Sequence, residues 1–349
     1  MATVAAREPS ASRARLPEPA GPIGELIFAL LSGPADGAVT PGSRTEIGLL
    51  ARDVADPLAD DDLQLALYAC YELHYRSFEG VDPAWEWDPA LLGARGEMER
   101  TFLDALALAL PSVEEIEPEA IGDRLFALER ESEGVSLSRR IESEASLEQF
   151  REFVVHRSLY QLKEADPHSW AIPRLAGAPK TALLEVQGDE YGGGRPERMH
   201  SRLFAKTMRA LDLDDRENAY LDRAPGVTLA TVNLMSALGL SAARRGAIVG
   251  HLAMFEMTSS QPNRRYANAL RRLGCGDDAT DFFDEHVEAD AVHENIAAYD
   301  LAGGLARAEP ELAGDILFGA GALLNLEDRV ARHLLTAWDA GRTSLRRAL

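Results

Sequence analysis

Eight histidines are spread over 349 residues, and two of them bracket an aspartate in the run TDFFDEHVEADAVHENI. His286, Asp290 and His293 stand at i, i+4 and i+7, so at 100° per residue they fall within about 60° of one another on a helix. Two imidazoles and a carboxylate on one face are ligands for iron, manganese or zinc in mixed nitrogen and oxygen sites. An exposed acidic helix with incidental histidines is the other reading of this run taken alone. One helix cannot complete a binuclear site, so partners must come from other helices, as the inward-facing carboxylates of helix bundles do.

Glu256 lies in GAIVGHLAMFEMTSS among Ile248, Leu252, Phe255 and Met257. A glutamate in such company has to be paired or metal-bound, unless it reaches out to solvent. EVQGDEYGGGRPERMH adds Glu190 and His200. On one ideal helix these would sit about 80° apart, but three glycines and Pro196 between them can break the helix and re-aim its second half. Glu164, in YQLKEADP, comes close to a helix C-terminus, where the dipole disfavours a carboxylate and a cation has to compensate. Arg195 and Arg198 could hold a substrate carboxylate or pair with nearby acids. His168 and Trp170 follow Glu164 and are candidates to line the site.

Other signals carry less. His74 and Glu72 are two apart and face different sides of a helix, which reads as aromatic packing plus a surface charge. Tyr191-Gly192-Gly193-Gly194 has neither the preceding strand nor the following Lys-Ser/Thr of a phosphate loop. His251, five residues before Glu256, faces elsewhere on its helix and reads as structural.

The elements that must position these groups are helices. Acids open ADDDLQLALYACYELHYRSF (59–78), followed by apolar residues at helical spacing. DPALLGARGEMERTFLDALALAL (88–110) stops before Pro111. SLEQFREFVVHRSLYQLKEAD (146–166) starts at a serine cap. Strand and hairpin signals are scarce. The sequence therefore predicts an all-α protein of bundle type. Residues 1–21, rich in Ala, Ser, Pro and Arg, are expected to form a disordered arm. A charged stretch at 116–146 sets a boundary: an N-terminal helical region over 22–140, then a larger helical domain over 141–349.

Composition excludes several classes. A formal charge of −21 repels phosphate backbones, so no nucleic-acid partner is expected. No run approaches the ~20 apolar residues of a membrane span, and the N-terminus lacks the apolar core of a secretory signal. Cys70 and Cys275, without motif spacing, argue for a reducing, cytoplasmic setting and against a thiolate metal site. Helical additions often bury a second apolar face on a copy of themselves, so the N-terminal region is expected to support a homodimer.

The ordered set Glu164, Glu190, His200, Glu256, His286, Asp290, His293 resembles the ligand pattern of the haem-oxygenase-like di-iron oxidases and oxygenases. The phrases KEADPHSWAIPRL, QGDEYGGGRPERMH and FFDEHVEADAVH are similar to that family's iron-containing redox branch over about residues 145–305. YELHYRSFEGVDPAWEWDP (71–89) resembles the helical N-terminal part of some members. The resemblance implies a haem-oxygenase-like helical bundle holding two iron ions, with O2 as co-substrate and an external electron donor. It implies reductive O2 activation to a peroxo di-iron(III) species that N-oxygenates an amine or starts desaturation, decarboxylation or C–C cleavage. It also implies that the helix bearing His286 and His293 is loose without metal. The expected substrate is a small amine or amino-acid derivative. Haem oxygenase itself uses one proximal histidine and would not gather four acids, and a thiaminase-like enzyme needs a cysteine nucleophile. The non-enzyme alternative is an acidic helical scaffold or metal-binding protein.

Overall fold

The computed structural model describes residues 13–35, 41–111, 116–132 and 134–349, leaving aside the side chains of residues 41 and 288–292. Among the described residues the chain is all-α, with no strand. The first helices are α1 (Pro22–Leu31), α2 (Pro41–Arg52), α3 (Asp61–Glu72) and α4 (Pro89–Ala109). Aspartates start two of them. Asp60 accepts the Leu63 N–H at 2.8 Å, and Asp88 accepts those of Ala90 and Leu91 at 3.0 and 2.8 Å. The charged stretch folds into α5 (Ile121–Glu131) and α6 (Leu137–Glu144). A capping box opens α7 (Leu147–Gln161): Ser146 Oγ accepts from Gln149 N–H at 3.2 Å, and Gln149 Oε1 from Ser146 N–H at 3.0 Å.

Next come α8 (Asp166–Ser169), α9 (Gly177–Glu190), α10 (His200–Ala210) and α11 (Gly226–Gly239). The chain closes with α12 (Arg245–Met257), α13 (Ser260–Arg272), α14 (Asp277–Asn295), α15 (Gly303–Ala308) and α16 (Ala313–Asp339). Between α14 and α15 lies a π-helical segment, Ile296–Ala302. Two helices end earlier than their periodicity suggests. α3 stops at Glu72, where the Ser77 N–H returns to the Glu72 carbonyl at 2.9 Å with Ser77 at φ 58°. α7 stops at Gln161, and Ala165 takes a left-handed φ of 76° before the short α8.

Two apolar clusters hold the bundle. In the larger, Ile27, Leu67 and Phe102 of the first helices meet Leu234, Leu252 and Leu323 of α11, α12 and α16, so helices from both sides of residue 140 share it. The second gathers Phe150, Phe153, Phe204, Tyr266, Phe282 and Phe283 from α7, α10, α13 and α14. Burying a side chain of this size stabilises by about 1.5–3 kcal/mol, which makes both clusters stiff mounts for polar groups set among them. α12 and α16 approach closely through paired glycines. A Cβ on Gly250 would strike the Ile316 carbonyl oxygen, and one on Gly319 that of Ala247.

The expected disordered arm needs correction over residues 13–21. The Glu79 N–H donates to the Ala14 carbonyl at 2.7 Å and the Glu18 N–H to Asp222 at 2.9 Å, pinning this stretch to the bundle. Residues 1–12 lie outside the described residues. No single helix among the described residues is long and apolar enough to cross a membrane.

Candidate metal centre

The turn after α7 sets Glu164 facing inward, the end of α9 supplies Glu190, and the start of α10 supplies His200. α12 contributes Glu256 and α14 contributes His286 and His293, and all six side chains are buried. They fall into two donor sets. Glu164, Glu190, His200 and His286 offer one atom each within 4.8 Å of one another, and Glu190, Glu256 and His293 do the same. Glu190 belongs to both sets. The seventh expected residue, Asp290, lies in α14, but its side chain is outside the described residues.

The turn from α9 to α10 explains how Glu190 and His200 meet. Gly192, Gly193 and Gly194 take φ of 73°, 58° and 81°, the left-handed region that favours glycine. A Cβ at Gly192 would also lie 2.7 Å from the backbone of Arg198 and Met199. The chain thereby folds back, bringing His200 Nδ1 to 2.9 Å from Glu190 Oε2.

The donor atoms are close but not mutually satisfied. His200 Nδ1 and Glu190 Oε2 are not aligned for a hydrogen bond, so both remain without one. Neither oxygen of Glu164 has a hydrogen-bond partner, and the nearest imidazole nitrogen, His286 Nε2, is 3.5 Å away. His293 Nδ1 lies 3.4 Å from Glu256 Oε2 and also has no hydrogen bond. Buried polar atoms left this way cost about 1–3 kcal/mol each, more when charged, so the arrangement is one that a cation completes.

The outer nitrogens point the same way. His286 Nδ1 donates to the Phe282 carbonyl at 2.7 Å, so that Nε2 is the nitrogen turned towards Glu164 and, in the neutral imidazole, the one carrying the lone pair. His293 Nε2 donates to Asp189 Oδ2 at 3.0 Å, leaving Nδ1 for Glu256. An imidazole anchored through one nitrogen and presenting the other is how metal-ligating histidines are held.

The electrostatics fit a cation site. Burial pushes the carboxyls of Glu164 and Glu256 above their ordinary range. Burial works against the His200 imidazolium, but the Glu190 carboxylate beside it prevails and raises its pKa. His293 is raised to about 9, burial being outweighed by Glu256 and Asp189. These residues draw positive charge into an enclosed space, and their nitrogen and oxygen donors without sulfur suit iron among the common metals. Cys70 and Cys275 belong to neither set.

Other expected residues are placed differently. His168 is buried beside the cluster, its Nε2 3.1 Å from His251 Nδ1, and its own Nδ1 has no partner. It lines a small cavity with Glu164, Glu190, Glu256 and His286, while His251 packs against Phe255. Trp170 lies against Gly239 at the α11 end. Arg195 is exposed and Arg198 is paired with Glu285 of α14. Neither arginine lines the cavities that reach Glu164, so a carboxylate clamp there does not match the geometry.

Glu72 is a second correction. It is buried, with Lys163 Nζ at 2.7 Å, and that ammonium also meets Tyr68 Oη at 3.1 Å and lies over the Tyr68 and Tyr75 rings. The pair ties α3 to the turn that carries Glu164. His74 does pack on Trp87, with ring centroids 4.9 Å apart. Asp189 was invisible in the sequence because its role depends on α14 arriving from a hundred residues away. Adjacent acids in GDEY were the only local signal.

Residues 151–328, just over half of the chain and including every one of the seven ligand positions, match the iron-containing redox enzyme family. A search of curated proteins gives no match. With the helical bundle and the buried carboxylate–histidine cluster in place, this match makes the chain a member of the haem-oxygenase-like iron-containing redox enzymes, and hence an oxidoreductase.

Proposed function

We propose that the chain is a non-haem di-iron oxygenase or oxidase that uses O2 on a small amine or amino-acid-derived metabolite. The observation that carries this reading is the sharing of Glu190 between two buried donor sets. Glu164, His200 and His286 would hold one iron ion and Glu256 and His293 the other, with Glu190 common to both and Asp290 added by the resemblance. When bound, two ferrous ions supply electrons for activating O2 towards N-oxygenation, desaturation or C–C cleavage, and an external donor restores them.

The protein's own residues prepare that chemistry. The Phe282 carbonyl and Asp189 fix the orientation of His286 and His293. The Lys163–Glu72 pair restrains the turn bearing Glu164. Tyr160, Leu252 and Phe255 wall the small inner cavity and exclude bulk water from it. Leu49, Trp87 and Leu108, exposed on the N-terminal helices and the short turn between them, support a homodimer formed through that region.

The test is iron binding and O2 use together. Anaerobic loading should give about two iron ions per chain, one per donor set, and His293→Ala or Glu256→Ala should lower iron content and abolish O2-dependent turnover. An acidic scaffold would bind iron weakly and consume no O2, and that result would overturn the reading.

A further inference from the structure

A polar cavity of about 270 Å³ adjoins the metal centre, with Glu164 in its wall. Its other charged groups are largely spoken for. Arg76 donates to Glu217 Oε1 at 2.6 Å, Lys163 is held by Glu72 at 2.7 Å, and Asp166 Oδ1 accepts from the Tyr191 hydroxyl at 2.7 Å. Besides Glu164 and the exposed Arg13, which also line the cavity, two groups are left over. The half-buried Arg202 makes no ion pair or side-chain hydrogen bond among the described residues, and Glu217 Oε2 is buried without a hydrogen-bond partner. Both line this one cavity.

An acceptor oxygen with no donor and a guanidinium with no anion are complementary to a molecule carrying a carboxylate and a hydrogen-bond-donating ammonium. The space lies just below the ~300–1,000 Å³ of sites for drug-sized ligands, so the molecule is small. We propose that this cavity binds a small amino-carboxylate zwitterion, its carboxylate on Arg202 and its ammonium on Glu217. As the substrate site of the enzyme, the assignment rests on the di-iron reading, because Glu164 is the residue shared by cavity and metal centre. As a binding site it stands on Arg202 and on the unbonded Oε2 of Glu217, whose Oε1 is held by Arg76.

A second opening competes for the role. A cleft of about 710 Å³ reaches Glu164 and His286 between Phe153, Phe204, Phe255 and Phe282, and its aromatic walls would favour an apolar chain over a zwitterion. Three compounds of equal length separate the two: norleucine, hexanoate and hexylamine. Their affinities are measured by calorimetry on the full-length protein, metal-free and, without O2, loaded with Fe(II), and iron content is measured on the same samples.

Norleucine should bind at least about tenfold more tightly than either single-charge compound, the worth of one charge-assisted hydrogen bond. Arg202→Met should weaken norleucine and hexanoate by at least about tenfold and leave hexylamine unchanged, while Arg202→Lys keeps most of the affinity. Glu217→Gln should weaken norleucine and hexylamine in the same measure. The assignment is overturned if norleucine fails to bind, if the three bind alike, if hexanoate or hexylamine binds most tightly through the aromatic cleft, or if Arg202→Met leaves norleucine untouched. Iron retained without norleucine binding removes this assignment only. Norleucine bound by a protein that holds no iron removes the di-iron reading only.

Discussion

Glu190 carries an unusual share of the site, since among the described residues it is the side chain common to both donor sets. Around it, single residues with satisfied outer bonds hold the ligands in place. Asp189 is one of these, and Asp189→Asn should weaken iron binding by about tenfold while leaving the fold intact, as removal of a partner behind a metal-ligating histidine does. A competition titration with a chelator reads this directly, and an unchanged affinity would reduce Asp189 to a surface contact. His156 offers a test of a different kind. It is buried between Thr228 Oγ1 at 2.7 Å and Ser344 Oγ at 3.0 Å, and burial lowers its pKa to about 3. The folded state stays neutral there while the unfolded chain takes up a proton below about pH 6.5. Its contribution to stability is therefore complete above pH 6.5 and is lost as pH falls towards 3. Between pH 6.5 and 5, His156→Gln should lose about 2 kcal/mol less than the wild type in urea unfolding. Equal losses would mean that His156 is protonated in the fold.

At the scale of the element, the helices were mostly legible and their ends less so. Ser146 with Gln149, and Asp88 with Pro89, mark α7 and α4 because capping is local chemistry that the sequence spells out. The early ends of α3 and α7 depend on Ser77 and Ala165 adopting left-handed conformations, which neither residue type announces. Three glycines and Pro196 did announce the reversal between α9 and α10, and through it the meeting of Glu190 with His200. The burial of Glu72 was hidden, because Lys163 reaches it across ninety residues of chain. The resemblance implies that α14 is loose without metal; in the structure it sets His286 and His293 3.5 and 3.4 Å from Glu164 and Glu256. The close crossing of α12 and α16 gives a prediction of its own. Gly250→Ala forces a methyl against the Ile316 carbonyl and should cost about 3 kcal/mol or more in chemical denaturation, with a loss of iron because α12 carries Glu256. A variant of wild-type stability would show that the two helices can part without consequence.

For the whole molecule, the all-α class followed from periodicity, while the shared core across residue 140 did not, since which apolar faces meet is settled only by three-dimensional packing. The N-terminal helices are thereby joined to the metal centre through Glu72 and Lys163 as well as through the core. A cation bound only by the folded state stabilises it by mass action. Thermal unfolding of the metal-free protein should therefore shift upwards by several degrees with Fe(II), and Lys163→Met should lower the transition in both forms. Light scattering should give twice the monomer mass, and Leu49→Lys with Leu108→Lys should halve it. A monomeric wild type would remove the dimer.

The central claim is that two iron sites share one carboxylate. Iron content after anaerobic loading, compared among the wild type, His293→Ala and Glu190→Ala, tests it most directly. The shared arrangement predicts about two ions per chain in the wild type, about one in His293→Ala and almost none in Glu190→Ala, following the two donor sets and their common member. Equal losses in the two variants, or a wild type that holds a single ion, would contradict it.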